Sequence, residues 1–275
     1  MALPHNAKVL IEAEAVPHHL TAALPAGFAS QWTESSEQIT TGDAIRTLRR
    51  QKHADEVDVM KAAMKAGAAG HAAAFEAAKA GATDLDVYLA IQQAAQKQAG
   101  CAAVLYGDFR STNPSRPKAG GLPGNLPLID GDLLILDFSV VLHGYRSDFT
   151  NTIAIGSPTD AAMKQFAACE AAMQAAEETL KPGANCKDTY NAASTAFEER
   201  GFPPLPHHCG HGLGLEHPEP PILVPESTDT LLEGDVVTIE PGQYIEGTGG
   251  MRIEHNYLIT KTGFKKLSNH RIALK

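Results

Sequence analysis

The spacing of apolar residues predicts two helices followed by two strands in the first half of the chain. Apolar or small residues recur at steps of three and four over residues 54–80, which is typical of one helix face. A second helix is predicted after Thr83, because threonine is a suitable N-cap. Apolar strands are predicted over 133–141 and 146–155, and residues 142–144 join them as a hairpin.

The same order of elements recurs in the second half of the chain. Apolar positions predict helices over residues 163–180 and 190–197. Strands are predicted over residues 235–240 and 252–260, joined through residues 246–250. The order helix, helix, strand, strand therefore occurs twice, although the two halves show no evident sequence identity. This order predicts an α+β fold in which helices cover one face of an antiparallel sheet.

Two segments lack a regular apolar pattern. Residues 107–131 are rich in glycine and proline, and we expect a long ordered loop there. A loop of this length inside a compact domain is often functional. Residues 201–225 are rich in proline, histidine and glycine and form the second irregular stretch.

Composition excludes several classes of protein. The chain has 275 residues, of which 43% are hydrophobic, enough for one large domain or two modest ones. Its net charge of −9 argues against a general nucleic-acid binder, which needs clustered cations. No apolar run is long enough to span a membrane, and no secretory signal is evident at the N-terminus. Four cysteines at long spacings fit reduced thiols, so we expect a cytoplasmic protein without a membrane or nucleic-acid partner.

Four acidic residues are embedded in the apolar strand sequence. A turn centred on residues 142–143 would place Asp137 opposite Asp148, and the second hairpin would place Glu240 opposite Glu254. Two carboxylates about 5 Å apart repel each other by about 3 kcal/mol at an effective dielectric constant of 20. Hard divalent cations between them would relieve this repulsion, since they prefer oxygen ligands.

Histidines in the segment HHCGHGLGLEHPEPP complete this candidate set. They are His207, His208, His211 and His217. One imidazole with four carboxylates suits a dinuclear site for Mn, Co, Zn or Fe. Two such cations about 3.5–4 Å apart would bind a bridging hydroxide and polarise a carbonyl group. We expect His208 to be structural or exposed.

Three segments carry a family resemblance over about residues 45–265. They are GDLLILDFSVVLHGYRSDFTNT, PHHCGHGLGLE and EGDVVTIEPGQYIEGTGGMRIEH. They resemble the pita-bread metallopeptidases, which comprise Xaa-Pro aminopeptidases, prolidases, methionine aminopeptidases and creatinase relatives. The resemblance implies the pseudo-twofold pita-bread fold with a curved sheet, and it suggests a homodimer. We expect a catalytic domain over residues 46–275, preceded by a short N-terminal arm or remnant over residues 1–45.

The resemblance also implies the ligands and the reaction. The ligands of two divalent cations, with Mn preferred and Co, Zn or Fe as alternatives, would be Asp137, Asp148, His211, Glu240 and Glu254. Glu240 would in addition take a proton from the attacking water, and His207 and His217 would contribute to catalysis. Arg252 is expected to orient the ligand carboxylates. The implied reaction is attack by a metal-bridged hydroxide on an amide carbonyl of a short peptide or small amide, as in Xaa-Pro aminopeptidases and prolidases.

The sequence departs from the family pattern in three places. No histidine occurs between His71 and His143, where the peptidases carry a loop histidine; the equivalent position falls near Gly120. His217 lies one place early, and His255 follows the last ligand where the family has aspartate. Two alternatives therefore stay open. One is a non-peptidase enzyme acting on a small zwitterionic substrate by C–N hydrolysis or lyase chemistry, and the other is a non-catalytic scaffold.

Overall fold

The structure, a computed structural model, describes residues 41–275. Residues 50–275 form one compact unit, which contains every predicted site residue. The predicted N-terminal arm lies outside the described residues up to residue 40. Helix α1 spans Thr41–Arg50. Among the described residues, no helix combines the length and the apolarity that a bilayer crossing requires.

The first half of the compact unit contains two helices and four strands. They are α2 (Ala54–Ala77), α3 (Asp84–Ala99), β1 (Val104–Thr112), β2 (Leu133–Leu142), β3 (Tyr145–Arg146) and β4 (Phe149–Ala154). The predicted N-cap is confirmed, because Thr83 Oγ1 accepts the Asp86 N–H and the Asp86 carboxylate accepts the Thr83 N–H. Both predicted helices are thus confirmed.

The second half repeats this order with more strands. Its elements are α4 (Asp160–Glu177), α5 (Cys186–Glu198), β5 (Gly210–Gly212), β6 (Glu219–Leu223), β7 (Val236–Ile239), β8 (Gly242–Ile245), β9 (Gly249–Arg252), β10 (His255–Thr260) and β11 (Gly263–Lys266). The strand pairs of the described residues are all antiparallel. The first sheet contains β1, β2, β3 and β4, and β2 pairs with each of the other three. The second sheet has the order β11-β10-β7-β5-β6, and β8 pairs with β9 in a separate two-stranded sheet. The predicted α+β architecture with antiparallel sheets is confirmed.

The predicted loop over residues 107–131 is wrong in its first part. Residues up to Thr112 belong to β1, which pairs with β2 and places Asp108 opposite Asp137. Gly107 interrupts the apolar pattern of this strand, and a Cβ there would lie 2.1 Å from the carbonyl oxygen of Asp137. The irregular stretch 201–225 likewise contains β5 and β6.

These added strands occupy equivalent places in the two halves. β1 follows α3 and pairs with β2, the first strand of the first hairpin. β5 follows α5 and pairs with β7, the strand that leads into the second hairpin. The predicted order of helix, helix, strand, strand therefore lacks one strand after the second helix in each half. This equivalence supports the pseudo-twofold arrangement.

The predicted register of the first hairpin is wrong by two residues. Leu142 pairs with Tyr145, so the turn consists of His143 and Gly144, both with positive φ (51° and 87°). Such a two-residue turn matches the twist of its flanking strands. The shift leaves Asp137 opposite Thr150 instead of opposite Asp148.

This error leaves the two aspartates on the same face of the sheet. Side chains alternate with a period of two, so a shift of two residues does not move any of them to the other face. Asp148 lies beside Ser139, whose Oγ is 3.3 Å from Asp148 Oδ1. In the second hairpin, the pairs of Ile239 with His255 and Gly242 with Arg252 confirm the predicted register.

Candidate metal centre

Carboxylate and imidazole groups from both halves converge on one site. Three overlapping groups each have donor atoms that all lie within 4.8 Å of one another; the groups are Asp137, Asp148 and Glu254; Asp148, His211 and His217; and His208, His211 and Glu240. All five predicted ligands are therefore brought together. Asp137 lies on β2, whereas Asp148, Glu240 and Glu254 lie between strands of the two hairpins. The tertiary fold therefore assembles the site.

Asp148 lies at the break between β3 and β4, where its backbone leaves the strand ladder. Its N–H donates to Asn256 Oδ1 at 3.2 Å, and the Asn256 amide nitrogen donates to the Asp148 carbonyl. Ser147 also departs from regular pairing, since its Oγ accepts the Val140 N–H. Asn256 on β10 thereby fixes Asp148 of the first half against the second half.

Glu254 is the most deeply buried carboxylate of the set, with 1% of its surface exposed. Its N–H donates to the carbonyl of Thr150, and Thr150 Oγ1 donates to its Oε2 at 2.7 Å. Its Oε1 has no hydrogen-bond partner in the described part of the chain. Burial, followed by repulsion from Asp148, Glu240 and Asp137, raises the pKa of Glu254 well above its usual range.

His211 presents one nitrogen to the carboxylates. Its Nδ1 donates to the Gly212 carbonyl at 2.8 Å, which leaves the lone pair on Nε2. Nε2 lies 3.5 Å from Asp148 Oδ2 and 3.4 Å from Glu240 Oε1. This tautomer is the one in which histidine binds a cation through Nε2.

Glu240 lies between β7 and β8, and two side chains contact its Oε1. His208 Nε2 is 3.1 Å away and Thr238 Oγ1 is 3.2 Å away. Burial alone would raise the pKa of Glu240, but the His208 hydrogen bond and the nearby His211 outweigh it and lower that pKa strongly. The same hydrogen bond raises the pKa of His208. His208, expected to be structural or exposed, is 38% exposed in its side chain and contacts a predicted ligand.

Arg252 contacts the first predicted ligand directly. Its Nη2 forms ion pairs with Asp137 and, at 3.4 Å, with Asp108, while Nη1 donates to the Tyr244 hydroxyl at 2.6 Å. Burial raises the pKa of Asp137 to about 6, and the guanidinium partly offsets this rise. Arg252 thus lies where it can orient Asp137. Asp108 and Tyr244 are site residues that the sequence interpretation missed.

The two other predicted catalytic residues, His217 and His207, have different contacts: His217 contacts a predicted ligand and His207 contacts Tyr244. His217 reaches the centre despite its early place in the sequence, with Nε2 2.5 Å from Asp148 Oδ2. Burial lowers the pKa of His217, but the hydrogen bond to Asp148 outweighs this effect and raises it. His207 contacts Tyr244, whose hydroxyl is 3.3 Å from its Nε2, and burial lowers the pKa of His207 to about 4.

Comparison with known proteins identifies the family. The model of metallopeptidase family M24 matches residues 58–261. The chain is 32% identical over 258 residues to a Xaa-Pro dipeptidase of Pyrococcus horikoshii, an alignment that covers 90% of this chain and 72% of that protein. This chain belongs to metallopeptidase family M24. M24 metallopeptidases use divalent metals, as the predicted ligand set requires.

Solved structures support the M24 fold. The prolidase from Pyrococcus horikoshii OT3 is similar with a TM-score of 0.77 and 29% identity, over 92% of this chain and 74% of that chain. The dipeptidase PepE from Mycobacterium ulcerans is similar with a TM-score of 0.82 and 27% identity, over 95% and 69% of the two chains. The predicted pita-bread fold is therefore confirmed.

The donor set of this M24 chain fits divalent cations. It combines carboxylate oxygens with an imidazole nitrogen, the ligands that borderline and hard divalent cations accept. Asp137, Asp148 and Glu254 share a small buried volume, and the unpartnered Glu254 Oε1 faces no protein donor in the described residues. A buried carboxylate oxygen without a donor is costly unless a cation binds it.

The centre opens into a cavity of about 250 Å³. Its lining residues are Lys118, Asp137, Asp148, His207, His208, His211, His217, Pro218, Glu240, Tyr244 and Arg252. The Gly120 position predicted to correspond to the missing loop histidine faces Asp108, since a Cβ there would lie 3.0 Å from both carboxylate oxygens. His255 does not line this cavity and instead contacts Ser268 at 2.8 Å.

Proposed function

We propose that this chain is a dinuclear-metal-dependent hydrolase that cleaves short Xaa-Pro peptides. The observation that carries the proposal is the cluster of Asp137, Asp148 and Glu254, in which a buried carboxylate oxygen has no donor among the described residues. The similarity to a Xaa-Pro dipeptidase and a prolidase over most of the chain supports the substrate class.

The five predicted ligands would hold two divalent cations, with manganese as the preferred metal. When bound, such cations polarise a substrate carbonyl and lower the pKa of a water molecule. Thr150 orients Glu254, Asn256 fixes the backbone of Asp148, and Arg252 orients Asp137. These partners hold the carboxylates in place before substrate arrives.

Glu240 and His217 are the residues proposed to transfer protons. Glu240 accepts the proton of the attacking water, since its strongly lowered pKa keeps it ionised at neutral pH. His217 lies against Asp148 at the cavity wall, where its imidazole can hold a proton for the substrate. His207 lines the same cavity in contact with Tyr244 and contributes to the shape of the substrate space.

A panel of Xaa-Pro dipeptides and tripeptides tests this function. Metal-stripped protein is reconstituted with Mn, Co, Zn or Fe, and bound metal is counted beside turnover. Asp148→Asn is expected to lose both metal and turnover, whereas Asp160→Asn, on the exposed start of α4, is expected to retain both.

Either of two results would overturn the proposal. Two bound cations with no turnover on the whole panel would exclude an Xaa-Pro peptidase and favour the small zwitterionic substrates. Full activity of Asp148→Asn would remove the metal centre itself from the mechanism.

The cellular setting and assembly of this protein are part of the proposal. The four cysteines are free thiols, three of them buried, which supports a reducing compartment such as the cytoplasm. The expected homodimer remains a prediction, and light scattering at several protein concentrations tests it.

A further inference from the structure

A lysine ammonium group lies in the wall of the catalytic cavity. Lys118 lines the cavity, and its Nζ lies 5.6 Å from the ring centroid of Tyr244. Within the described part of the chain, no carboxylate lies within 4.0 Å of this ammonium. The side chain is exposed, so its charge remains available to a ligand in the cavity.

The backbone on both sides of Lys118 is held in place. The Pro117 carbonyl approaches β9 so closely that a Cβ on Gly250 would lie 2.5 Å from its oxygen. On the other side, the Gly121 N–H donates to Asp108 Oδ1 at 2.5 Å, and the Gly121 carbonyl accepts the Phe109 N–H. Lys118 is therefore an exposed side chain on an anchored segment.

Lys118 and Arg252 are the lysine and the arginine of the cavity lining. Arg252 forms ion pairs with Asp137 and Asp108, whereas Lys118 has no such pair among the described residues. Lys118 therefore places a positive charge on the Tyr244 side of the cavity. A positive charge in a small, partly enclosed space selects an anionic group on the ligand.

We propose that Lys118 binds the C-terminal carboxylate of the substrate and so selects dipeptides. This assignment rests on the proposed peptidase function. In a dipeptide one Cα separates the scissile nitrogen from the carboxylate, so both fit one cavity of about 250 Å³. Each further residue moves the carboxylate about 3.3–3.6 Å away from the reacting bond.

The test compares one Xaa-Pro dipeptide as the free acid and as its C-terminal amide. Wild-type enzyme is expected to prefer the acid about tenfold or more in kcat/KM, because a charged hydrogen bond is lost with the amide. Lys118→Met is expected to raise KM for the acid by a similar factor, to leave kcat nearly unchanged, and to abolish the preference. Lys118→Arg should retain the preference, and Lys164→Met on the exposed face of α4 is the matched control.

A binding measurement complements the kinetics. Calorimetry of proline and prolinamide, the products of the two substrates, should show weaker proline binding in Lys118→Met and unchanged prolinamide binding. Equal loss on acid and amide, or no change in either, would overturn the assignment while leaving the peptidase intact. A fully metal-loaded wild type that cleaves neither substrate would overturn the proposed function and this assignment with it.

Discussion

His217 Nε2 lies 2.5 Å from Asp148 Oδ2, although the two residues come from different halves of the domain. Asp148 follows the short strand β3, whereas His217 belongs to the loop between β5 and β6. The ring of His217 also contacts Tyr106 of β1 edge to face, with centroids 5.9 Å apart. His217 is therefore fixed between the candidate metal ligands and the wall of the cavity.

His217→Ala is expected to reduce kcat by about 100-fold or more, because a positioned proton donor or acceptor typically contributes that much. Metal content should stay at two cations per chain, since all five predicted ligands remain. Turnover and metal analysis on the same sample check this expectation. Loss of one cation in this variant would instead make His217 a ligand, which contradicts the proposed division of roles.

Glu254→Gln separates metal binding from folding. Glutamine keeps an oxygen for Thr150 Oγ1 but removes a buried carboxyl group whose ionised form three other carboxylates repel. The metal-free variant is expected to unfold at the same temperature as metal-free wild type or at a higher one. Wild type should gain thermal stability with added metal, whereas the variant should not. A metal-dependent rise in the unfolding temperature of the variant would contradict the role of Glu254 as a ligand.

A buried ion pair supports the loop that carries His217. Lys52 pairs with Glu219, and their side chains are 2% and 3% exposed. Glu219 Oε2 also accepts the N–H of Glu216 at 3.3 Å. The pair thereby joins the start of α2 to the segment around His217.

Lys52→Met is expected to lower the free energy of unfolding by about 3–5 kcal/mol, because it leaves Glu219 charged and buried without its partner. The double variant Lys52→Met with Glu219→Met should recover most of that loss. Urea unfolding of both single variants and the double variant gives the coupling energy between the two positions. Additive losses would mean that the pair makes no specific contribution.

A buried cluster of three histidines, His71, His255 and His270, predicts a dependence of stability on pH. The rings of His71 and His255 lie 4.8 and 4.7 Å from His270. Burial, aided by Lys266, lowers the pKa of His270 to about 4, and burial also lowers the pKa values of His71 and His255. The unfolded chain binds protons below about pH 6.5, whereas folded His270 stays neutral until about pH 4. Stability is therefore lost as the pH falls through this window.

His270→Gln isolates this effect, since the amide can still donate to the Thr150 carbonyl as His270 Nε2 does. The raised pKa values of Asp137 and Glu254 act in the opposite direction in metal-free protein, so the difference from wild type is the measured quantity. Between pH 6.5 and 4, the variant should lose about 1.4 kcal/mol less per pH unit than wild type. Chemical unfolding in EDTA checks this value, and parallel profiles would contradict a neutral His270.

The prediction of the site from the sequence tolerated an error in the hairpin register. The turn consists of His143 and Gly144 and is centred one residue later in the chain than predicted. Glycine readily adopts the positive φ at position 144. Because the pairing shifted by an even number of residues, Asp137 and Asp148 still share a face. The ligand set depends on the side of the sheet and on family spacing, and both were readable from the sequence.

The surroundings of the ligands were less predictable. Tyr106 and Asp108 lie on β1. Most of this strand was predicted to be loop because Gly107 and the proline-rich segment after the strand are typical of loops. Asn256 is an ordinary polar strand residue in the sequence, and its role at the backbone of Asp148 exists only after the two halves have packed together. Contacts between distant segments leave no local periodicity, which is why they were missed.

The ligands of the centre come from both halves of the chain, so the complete set exists only after both halves have folded. Asp137 and Asp148 are synthesised well before His211, Glu240 and Glu254, so the first half alone holds an incomplete set. Bound cations would close a long loop of chain and stabilise only the molecule in which both hairpins have docked. At saturating metal, the metal content per chain would therefore report the fraction of molecules in which both hairpins have docked.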